Sequence, residues 1–311
     1  MYKKFLPLYV GITLSMPLEA CASNERKAQQ QELQPSAPIA QLADNNNLFI
    51  PQVPAEAEWC GEKVKIDNEY FRERLDRELM NFTYSHSSTL QLLKRANRYF
   101  PLIERILKEE GLPDDIKYLA AIESSLNPRS YSSAKAAGLW QLIPEAGKDH
   151  GLQVDENVDE RYHIELSTRA ACKYLRHAYQ QLGNWSLTAA SYNAGIGRLL
   201  RQSRVQLASN FYEMNLTEET NRYMFRLLAC KMVMTNPKAF GFNLKESELY
   251  REVPCDTVGV DTAITNLAQF AKDRGLNYNL LKEENFWLRT NTLPNPKGKH
   301  YVIKLPIIKK D

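Results

Sequence analysis

The sequence predicts a mainly α-helical protein, and three observations support this fold class. Apolar residues recur at helical spacing in several long segments between residues 68 and 235. The same part of the chain lacks the alternating pattern of strands and the turn signals of hairpins. Of the 311 residues, 43% are hydrophobic and 25% are charged, a composition that permits a buried core and excludes a polytopic membrane protein and wholesale disorder.

The apolar periodicity places the helices in order along the chain. A proline lacks the N–H that continues a helix, so Pro101 is expected to break the second segment and begin a new helix. Pro113 before Asp114 and Asp115 favours a helix start, because acidic side chains stabilise the positive end of the helix dipole. The predicted helices span residues 68–81, 88–110 with the break at Pro101, 113–126, 168–182, 186–194 and 218–235.

The last sixty residues have a different pattern. Residues 258–260 and 301–305 are strand-like, and helical patterns at 262–275 and 279–284 lie between them. This β-α-α-β order is faintly similar to a LysM module, the peptidoglycan-binding fold. A helical appendage that packs on the main domain is the alternative, because short motifs of this quality often match by accident.

The first twenty residues have the layout of a secretory signal. Lys3 and Lys4 precede a mostly apolar stretch that is too short to span a bilayer. Leu18, Glu19 and Ala20 then lead to Cys21, a pattern that resembles the bacterial lipobox, in which the cysteine thiol receives a diacylglyceryl group. Glu19 departs from the small residue usual at that position, so plain secretion is the alternative.

Charge and cysteine content indicate which partners and bound groups to expect. The net charge of +3 arises from interspersed lysines, arginines and acids, which argues against a nucleic-acid partner because phosphate binding needs a clustered basic face. Cys60, Cys172, Cys230 and Cys255 could form one or two disulfides in an oxidising compartment, or remain free. No Cys/His spacing suits zinc, so we expect neither a metal nor a cofactor.

One carboxylate has the position of a general acid. Ile116, Leu119 and Ala120 form an apolar stripe on the predicted helix, and Glu123 is the next residue on that stripe, in the last turn. Burial and the negative end of the helix dipole both raise the pKa of such a carboxyl, and a protonated acid is what cleavage of a glycosidic bond requires. The alternative is a structural glutamate paired with Arg129 or Arg161.

Four short motifs in order make the first interpretation specific. They are Glu123-Ser124, Gly138-Leu139-Trp140-Gln141, Ser191-Tyr192-Asn193-Ala194-Gly195 and Tyr223. Together they resemble the soluble-lytic-transglycosylase-like domain of glycoside hydrolase family 23, and the surrounding residues are most similar to the branch of membrane-bound lytic murein transglycosylase D. Trp140 stands where many relatives have Met, and Ser191 stands where most have Ala. We expect both differences to change the lining of the glycan-binding groove.

The resemblance implies a lysozyme-like helical domain that cleaves peptidoglycan. In that family the acid protonates the oxygen between MurNAc and GlcNAc, and the C6 hydroxyl of the same MurNAc then closes on C1 to give a 1,6-anhydro sugar. Carried over by motif, Glu123 is the catalytic acid and base. The residues expected to bind substrate or support the acid are Ser132, Gln141, Tyr192, Asn193 and Tyr223.

The resemblance also implies a domain order and a location. We expect a signal peptide at 1–20, a lipidated N-terminus and flexible linker at 21–50, a helical N-terminal part at 51–110, the lysozyme-like domain at 111–250 and the C-terminal appendage at 251–311. The expected partners are peptidoglycan glycan strands and a membrane, most simply the outer membrane facing the periplasm, held through the lipid on Cys21. The alternatives are a hydrolytic muramidase of the same fold and a non-catalytic peptidoglycan-binding lipoprotein.

Overall fold

A computed structural model describes residues 49–307. This part of the chain contains ten α-helices and two small antiparallel strand pairs, which confirms the mainly α-helical fold class and the C-terminal β-α-α-β appendage. The signal, Cys21 and most of the linker lie outside the described residues. The elements are β1 (Glu56–Trp59), β2 (Glu62–Lys65), α1 (Glu69–Tyr84), α2 (His86–Glu109), α3 (Lys117–Ser124), α4 (Pro144–Asp149), α5 (Ile164–Leu182), α6 (Trp185–Ala194), α7 (Ile196–Gln206), α8 (Glu218–Thr235), β3 (Cys255–Val260), α9 (Leu267–Lys272), α10 (Tyr278–Glu284) and β4 (Tyr301–Pro306).

Helix α8 lies at the centre of the larger core. Its apolar residues do not form a single stripe, and buried positions occur around its circumference, from Thr220 to Val233. The helix packs against α1, α3 and α6. Because an α-helix surrounded by other elements has little freedom to shift, α8 fixes the position of any polar side chain that it carries toward its neighbours.

A β-hairpin precedes the helices and was not predicted. Strands β1 and β2 pair in antiparallel register through a two-residue turn, in which Cys60 and Gly61 both have positive φ, at 51° and 84°. Turns of this kind follow the twist of the strands, and glycine is favoured there. Trp59 and Val64 are buried by the hairpin against the helical core.

The expected break at Pro101 was wrong. Helix α2 runs through the proline without interruption. Pro101 itself is exposed, whereas Leu92 and Leu93 before it and Ile103 and Ile106 after it are buried in the same core. Burial of one continuous apolar face on both sides of Pro101 therefore outweighs the local cost of the missing N–H.

The C-terminal residues form a smaller core of their own. Strands β3 and β4 pair in antiparallel register, and α9 and α10 lie between them along the chain. This core also includes Ala137, Val158 and Tyr162 from the helical part. The two parts thus share buried side chains rather than meeting only at their surfaces.

Two further features of residues 49–307 concern membrane-spanning helices and cysteines. No helix in this range has the length and apolar character needed to cross a bilayer. The four cysteines in the range have free thiols, and Cys172 and Cys230 are fully buried.

Candidate active site

Glu123 lies in the last turn of α3, at the edge of the helical core. Ile116, Leu119 and Ala120 are fully buried on the predicted stripe, and Glu123 is half-buried beyond them. The helix ends at Ser124 because the next residue, Ser125, adopts the left-handed conformation with φ 51°. The carboxyl group therefore lies at the negative end of a helix that packs against α8.

The Tyr223 hydroxyl donates a hydrogen bond to Glu123 Oε1 at 2.6 Å. Burial is the largest influence on Glu123 and raises the pKa of its carboxyl to about 7, while the Tyr223 hydrogen bond and the charge of Arg226 oppose that rise. Burial and the nearby carboxylate also raise the pKa of Tyr223 well above its usual value, so the phenol keeps its proton and remains the donor. An acid with a pKa near 7 can both give up and accept a proton near neutral pH.

The end of α6 brings Tyr192 and Asn193 toward the same region. Gly195 ends this helix with φ 83°, as expected for a helix C-terminus. The Tyr192 hydroxyl donates to the carbonyl of Trp140 at 2.7 Å. Burial, with a smaller contribution from the charge of Glu123, raises the pKa of Tyr192 well above its usual value. Asn193 Nδ2 donates to Glu219 on α8 at 3.2 Å.

Ser132 and Gln141 make hydrogen bonds within the loop that follows α3. The backbone N–H of Ala136 donates to Ser132 Oγ at 3.1 Å. Gln141 Nε2 donates to the carbonyls of Ser130 and Gly138, at 3.2 and 2.8 Å. Although both residues are described, no hydrogen bond joins Ser132 to Glu123. These two side chains hold the shape of the loop.

Gly138 is required by close packing in this loop. Its φ is 77°, and a Cβ atom at this position would lie 2.0 Å from the backbone oxygen of Arg161. The Arg161 guanidinium in turn donates to the carbonyls of Lys135 and Leu142, at 2.6 and 3.0 Å, and forms a buried ion pair with Asp159 at 2.7 Å. Arg161 therefore holds both ends of the segment that carries Gly138 and Gln141.

Two residues expected to line the groove lie in the core instead. Trp140 is fully buried, and its indole Nε1 donates to Thr168 at 2.8 Å. Ser191 is also fully buried, and its hydroxyl donates to the carbonyl of Thr188. Their departures from the family pattern thus affect internal packing.

The ion-pair alternative for Glu123 does not match the structure. Arg161 pairs with Asp159, and Arg129 pairs with Glu283 at 2.6 Å. The carboxyl of Glu123 has instead a tyrosine partner and a raised pKa. This combination is more typical of a catalytic acid than of a structural ion pair.

Sequence reasoning missed the influence of two α8 residues on the acid. The charge of Arg226 favours ionised Glu123, and the charge of Glu219 raises the pKa of Glu123. Glu219 also accepts a hydrogen bond from Asn193 and so positions it. A local signal existed, since Glu219, Tyr223 and Arg226 are spaced four and three residues apart and so share one helix face.

Two parts of the chain match known domain families. Residues 100–215 match the family described as Transglycosylase SLT domain, and residues 256–309 match the Soluble lytic transglycosylase C-terminal LysM-like domain. The chain therefore carries an SLT domain followed by a LysM-like domain, which confirms the resemblance found from its motifs. Tyr223 lies beyond the first matched range, and the hydrogen bond to Glu123 connects it to the site.

The chain is similar to membrane-bound lytic murein transglycosylase D of Escherichia coli, with 28% identity over 95% of this chain and 65% of that protein. The chain thus spans just under two thirds of that relative. It is also similar to membrane-bound lytic murein transglycosylase C of Haemophilus ducreyi, with 24% identity over 53% of this chain and 51% of that protein. The crystal structure of the 70 kDa soluble lytic transglycosylase of Escherichia coli aligns with a TM-score of 0.39 and 24% identity, over 50% of this chain and 27% of that one.

Replacing Gly138 with alanine should destabilise the protein strongly. The new methyl group would meet the backbone oxygen of Arg161, so the loop must move. Gly183 is a matched control, since its φ is 79° but no atom lies within 4 Å of its Cβ position. In urea unfolding, Gly183→Ala should cost about 1 kcal/mol, the usual penalty of a left-handed alanine, and Gly138→Ala clearly more. Equal losses would contradict the role of close packing.

Replacing Glu123 with glutamine should stabilise the protein at alkaline pH. The folded-state pKa of about 7 exceeds the usual value of 4.5, so the folded protein holds the proton more tightly. Stability from the protonated acid is complete below about pH 4.5 and is lost as the pH rises through about 7. At pH 8, the free energy of unfolding of Glu123→Gln should exceed that of wild type by about 2 to 4 kcal/mol. At pH 4, the two proteins should have similar free energies of unfolding.

The exposed Glu145 provides the control for this measurement. Its replacement by glutamine removes the same charge without a buried carboxyl, so its effect on the free energy of unfolding should be small at both pH values. A Glu123→Gln difference that is constant between pH 4 and pH 8 would show that the carboxyl titrates normally.

Proposed function

We propose that this protein is a peptidoglycan lytic transglycosylase, which cleaves the β-1,4 bond between MurNAc and GlcNAc without water. The observation that carries the proposal is the half-buried Glu123, whose pKa is raised to about 7 and whose carboxyl accepts a hydrogen bond from Tyr223. The SLT match and the similarity to proteins named lytic murein transglycosylases give the substrate class.

The proposed reaction uses Glu123 twice. Protonated Glu123 first gives its proton to the bridging oxygen, so the C1–O bond of MurNAc breaks and GlcNAc leaves with a new hydroxyl group. The carboxylate then removes the proton of the C6 hydroxyl of the same MurNAc, whose oxygen bonds to C1. The product is a 1,6-anhydro sugar, and Glu123 is protonated again. Because the nucleophile belongs to the substrate, no second carboxylate has to activate water.

The surrounding residues have supporting roles in this proposal. Tyr223 orients the carboxyl and stabilises its charged form through the hydrogen bond at 2.6 Å. Tyr192 and Asn193 present groups at the end of α6 that can contact the sugar, with Asn193 held by Glu219. Gln141 and Ser132 shape the loop after α3, and Gln141 Oε1 remains available to accept from a sugar hydroxyl or N-acetyl group.

A hydrolytic muramidase would need a second carboxylate to activate water. Glu219 is the candidate in the described residues, because its charge acts on Glu123. Its Oε1 already accepts from Asn193, so we assign it a positioning role. Glu145 and Asp149, the candidates nearest in sequence, are exposed on α4.

The proposed location is the cell envelope, with the domain order given by the sequence. A signal at residues 1–20 directs export, Cys21 carries the lipid, and the linker to residue 50 allows the domain to reach the cell wall from the outer membrane. Residues 111–250 form the catalytic domain, with 51–110 packed against it. Residues 251–311 form the LysM-like unit, for which the match over 256–309 supports a role with peptidoglycan.

Digestion of purified sacculi, followed by mass spectrometry of the products, tests the reaction. Wild type should release muropeptides with 1,6-anhydroMurNAc ends, which are lighter by one water than reducing ends. Glu123→Gln should lower the rate by at least about 100-fold, the contribution expected of general acid catalysis. Glu145→Gln is the control and should remain active. If the products instead have reducing MurNAc ends, and these disappear in Glu219→Gln, the protein is a muramidase. If it binds sacculi without cleaving them, it is a non-catalytic protein.

Replacing Cys21 with serine tests the lipid anchor, because a hydroxyl cannot receive the diacylglyceryl group at the position of the thiol. In a bacterial host, wild type should incorporate labelled palmitate and fractionate with the outer membrane. Cys21→Ser should lose the label and leave the membrane fraction, whereas Cys60→Ser should retain both. A Cys21→Ser protein that still carries label would contradict lipidation at this residue.

A further inference from the structure

A second buried carboxylate lies on α1, outside the site described above. Glu78 has an exposure of 2% and accepts a hydrogen bond from Arg222 Nε at 2.7 Å. Arg226 Nε lies 3.6 Å from its other carboxylate oxygen, and Arg77 Nε lies 3.6 Å from the first. Three arginines thus surround one buried glutamate. Burial of a charged carboxylate costs free energy, and ion pairs and hydrogen bonds of this kind are needed to offset that cost.

This cluster is connected to Glu123 through α8. Arg222 and Arg226 lie on either side of Tyr223 in the sequence of that helix, and Tyr223 is the hydrogen-bond partner of Glu123. Arg226 is also the cation whose charge favours ionised Glu123. Arg226 pairs with Glu78 on α1 and lies three residues after Tyr223, and therefore on the same face of α8 as the tyrosine that bonds to Glu123.

We propose that Glu78 is a positioning residue for the acid: it holds Arg222 and Arg226 on the α1 side of α8 and offsets the charge of Arg226 that would otherwise act on Glu123. This inference rests on the proposed function, because it assumes that Glu123 must remain protonated to act. Glu78 does not touch the substrate in this role, and it acts only through the two arginines.

Among the described residues, the other charged and titratable groups around Glu123 form no ion pair with Arg226. On α8, Glu219 disfavours the ionised acid but is already bound to Asn193, and Tyr223 is a neutral donor. From α6, Tyr192 is neutral and bonded to the Trp140 carbonyl. From α2, Arg95 donates to the carbonyl of Ser125, just beyond α3. Glu78 is the acid that contacts Arg226 directly.

The proposal predicts opposite effects for the two partners. In Glu78→Gln the charge of Arg226 is no longer offset, so ionised Glu123 is stabilised and its pKa falls. In Arg226→Gln the attracting charge is absent while Glu78 remains, so the pKa of Glu123 rises. Removal of one charge several ångströms away, in a partly solvated site, should change the pKa of Glu123 by about 0.5 to 1 in each case. The double variant Glu78→Gln/Arg226→Gln should lie between them.

Two measurements on the full chain test this prediction. The first is the titration of Glu123 by NMR on protein with ¹³C-labelled glutamate carboxyls, where the Glu123 signal is identified by its absence in Glu123→Gln. The second is the alkaline limb of the pH profile of kcat/KM, which reports loss of the acid in the free enzyme. Arg226→Lys preserves the charge, and Glu73→Gln removes an exposed charge from the same helix α1, so neither should shift the titration.

The outcomes are distinct. Opposite shifts in Glu78→Gln and Arg226→Gln, with both controls unmoved, support the proposal. Folded variants that shift in the same direction, or that lose stability without any shift, overturn it and leave Glu78 a purely structural residue. If Glu78→Gln alone fails to fold, the double variant Glu78→Gln/Arg226→Gln, which leaves neither charge unpaired, is compared with Arg226→Gln. A pKa of Glu123 that is lower in the double variant supports the proposal, and equal values overturn it. The NMR titration does not depend on activity, so an absence of anhydro products would contradict the proposed function without affecting this result.

Discussion

The position of the catalytic candidate depends on the burial of one helix. Helix α8 has buried residues on all sides and packs against α1, α3 and α6, so its axial and rotational position is fixed. That position places the Tyr223 hydroxyl 2.6 Å from Glu123, a residue 100 positions earlier in the chain. A hydrogen bond of this kind needs accuracy of a few tenths of an ångström, which a helix on the surface would not provide. The burial of α8 in the larger core therefore also supports the proposed chemistry.

The acid is balanced between opposing influences. Burial raises the pKa of Glu123, whereas Tyr223 and Arg226 lower it, and the result is a value of about 7. With burial alone the carboxyl would hold its proton too strongly to act later as a base. With the hydrogen bond and the cation alone it would be ionised and could not act as an acid. The site therefore requires polar groups at the edge of the core, where solvation and charge both contribute.

Local sequence patterns predicted most of the helices. Features that depend on contacts between residues distant in the sequence could not be predicted. The helix from 218 to 235 was predicted with its observed bounds, and the stripe that leads to Glu123 follows from the spacing of its apolar residues. The break at Pro101 was wrong because tertiary burial of α2 outweighed a local rule. The candidate site residues were predicted from their motifs. Their hydrogen bonds could not be derived from the sequence, since Ser132 and Gln141 bond to the backbone around them. Nothing in the local sequence connects Glu78 to a site formed by residues far along the chain.

The shared core at the C-terminus has an evolutionary consequence. Ala137 belongs to the loop that carries Gln141, yet it is buried with the apolar residues of the LysM-like unit, and Arg129, six residues after Glu123, pairs with Glu283 in that unit. A gene fusion that exchanged the unit for an unrelated one would expose Ala137 and Tyr162 and remove the ion-pair partner of Arg129. Exchange of the C-terminal unit alone would therefore be selected against, because it would uncover apolar residues of the helical part.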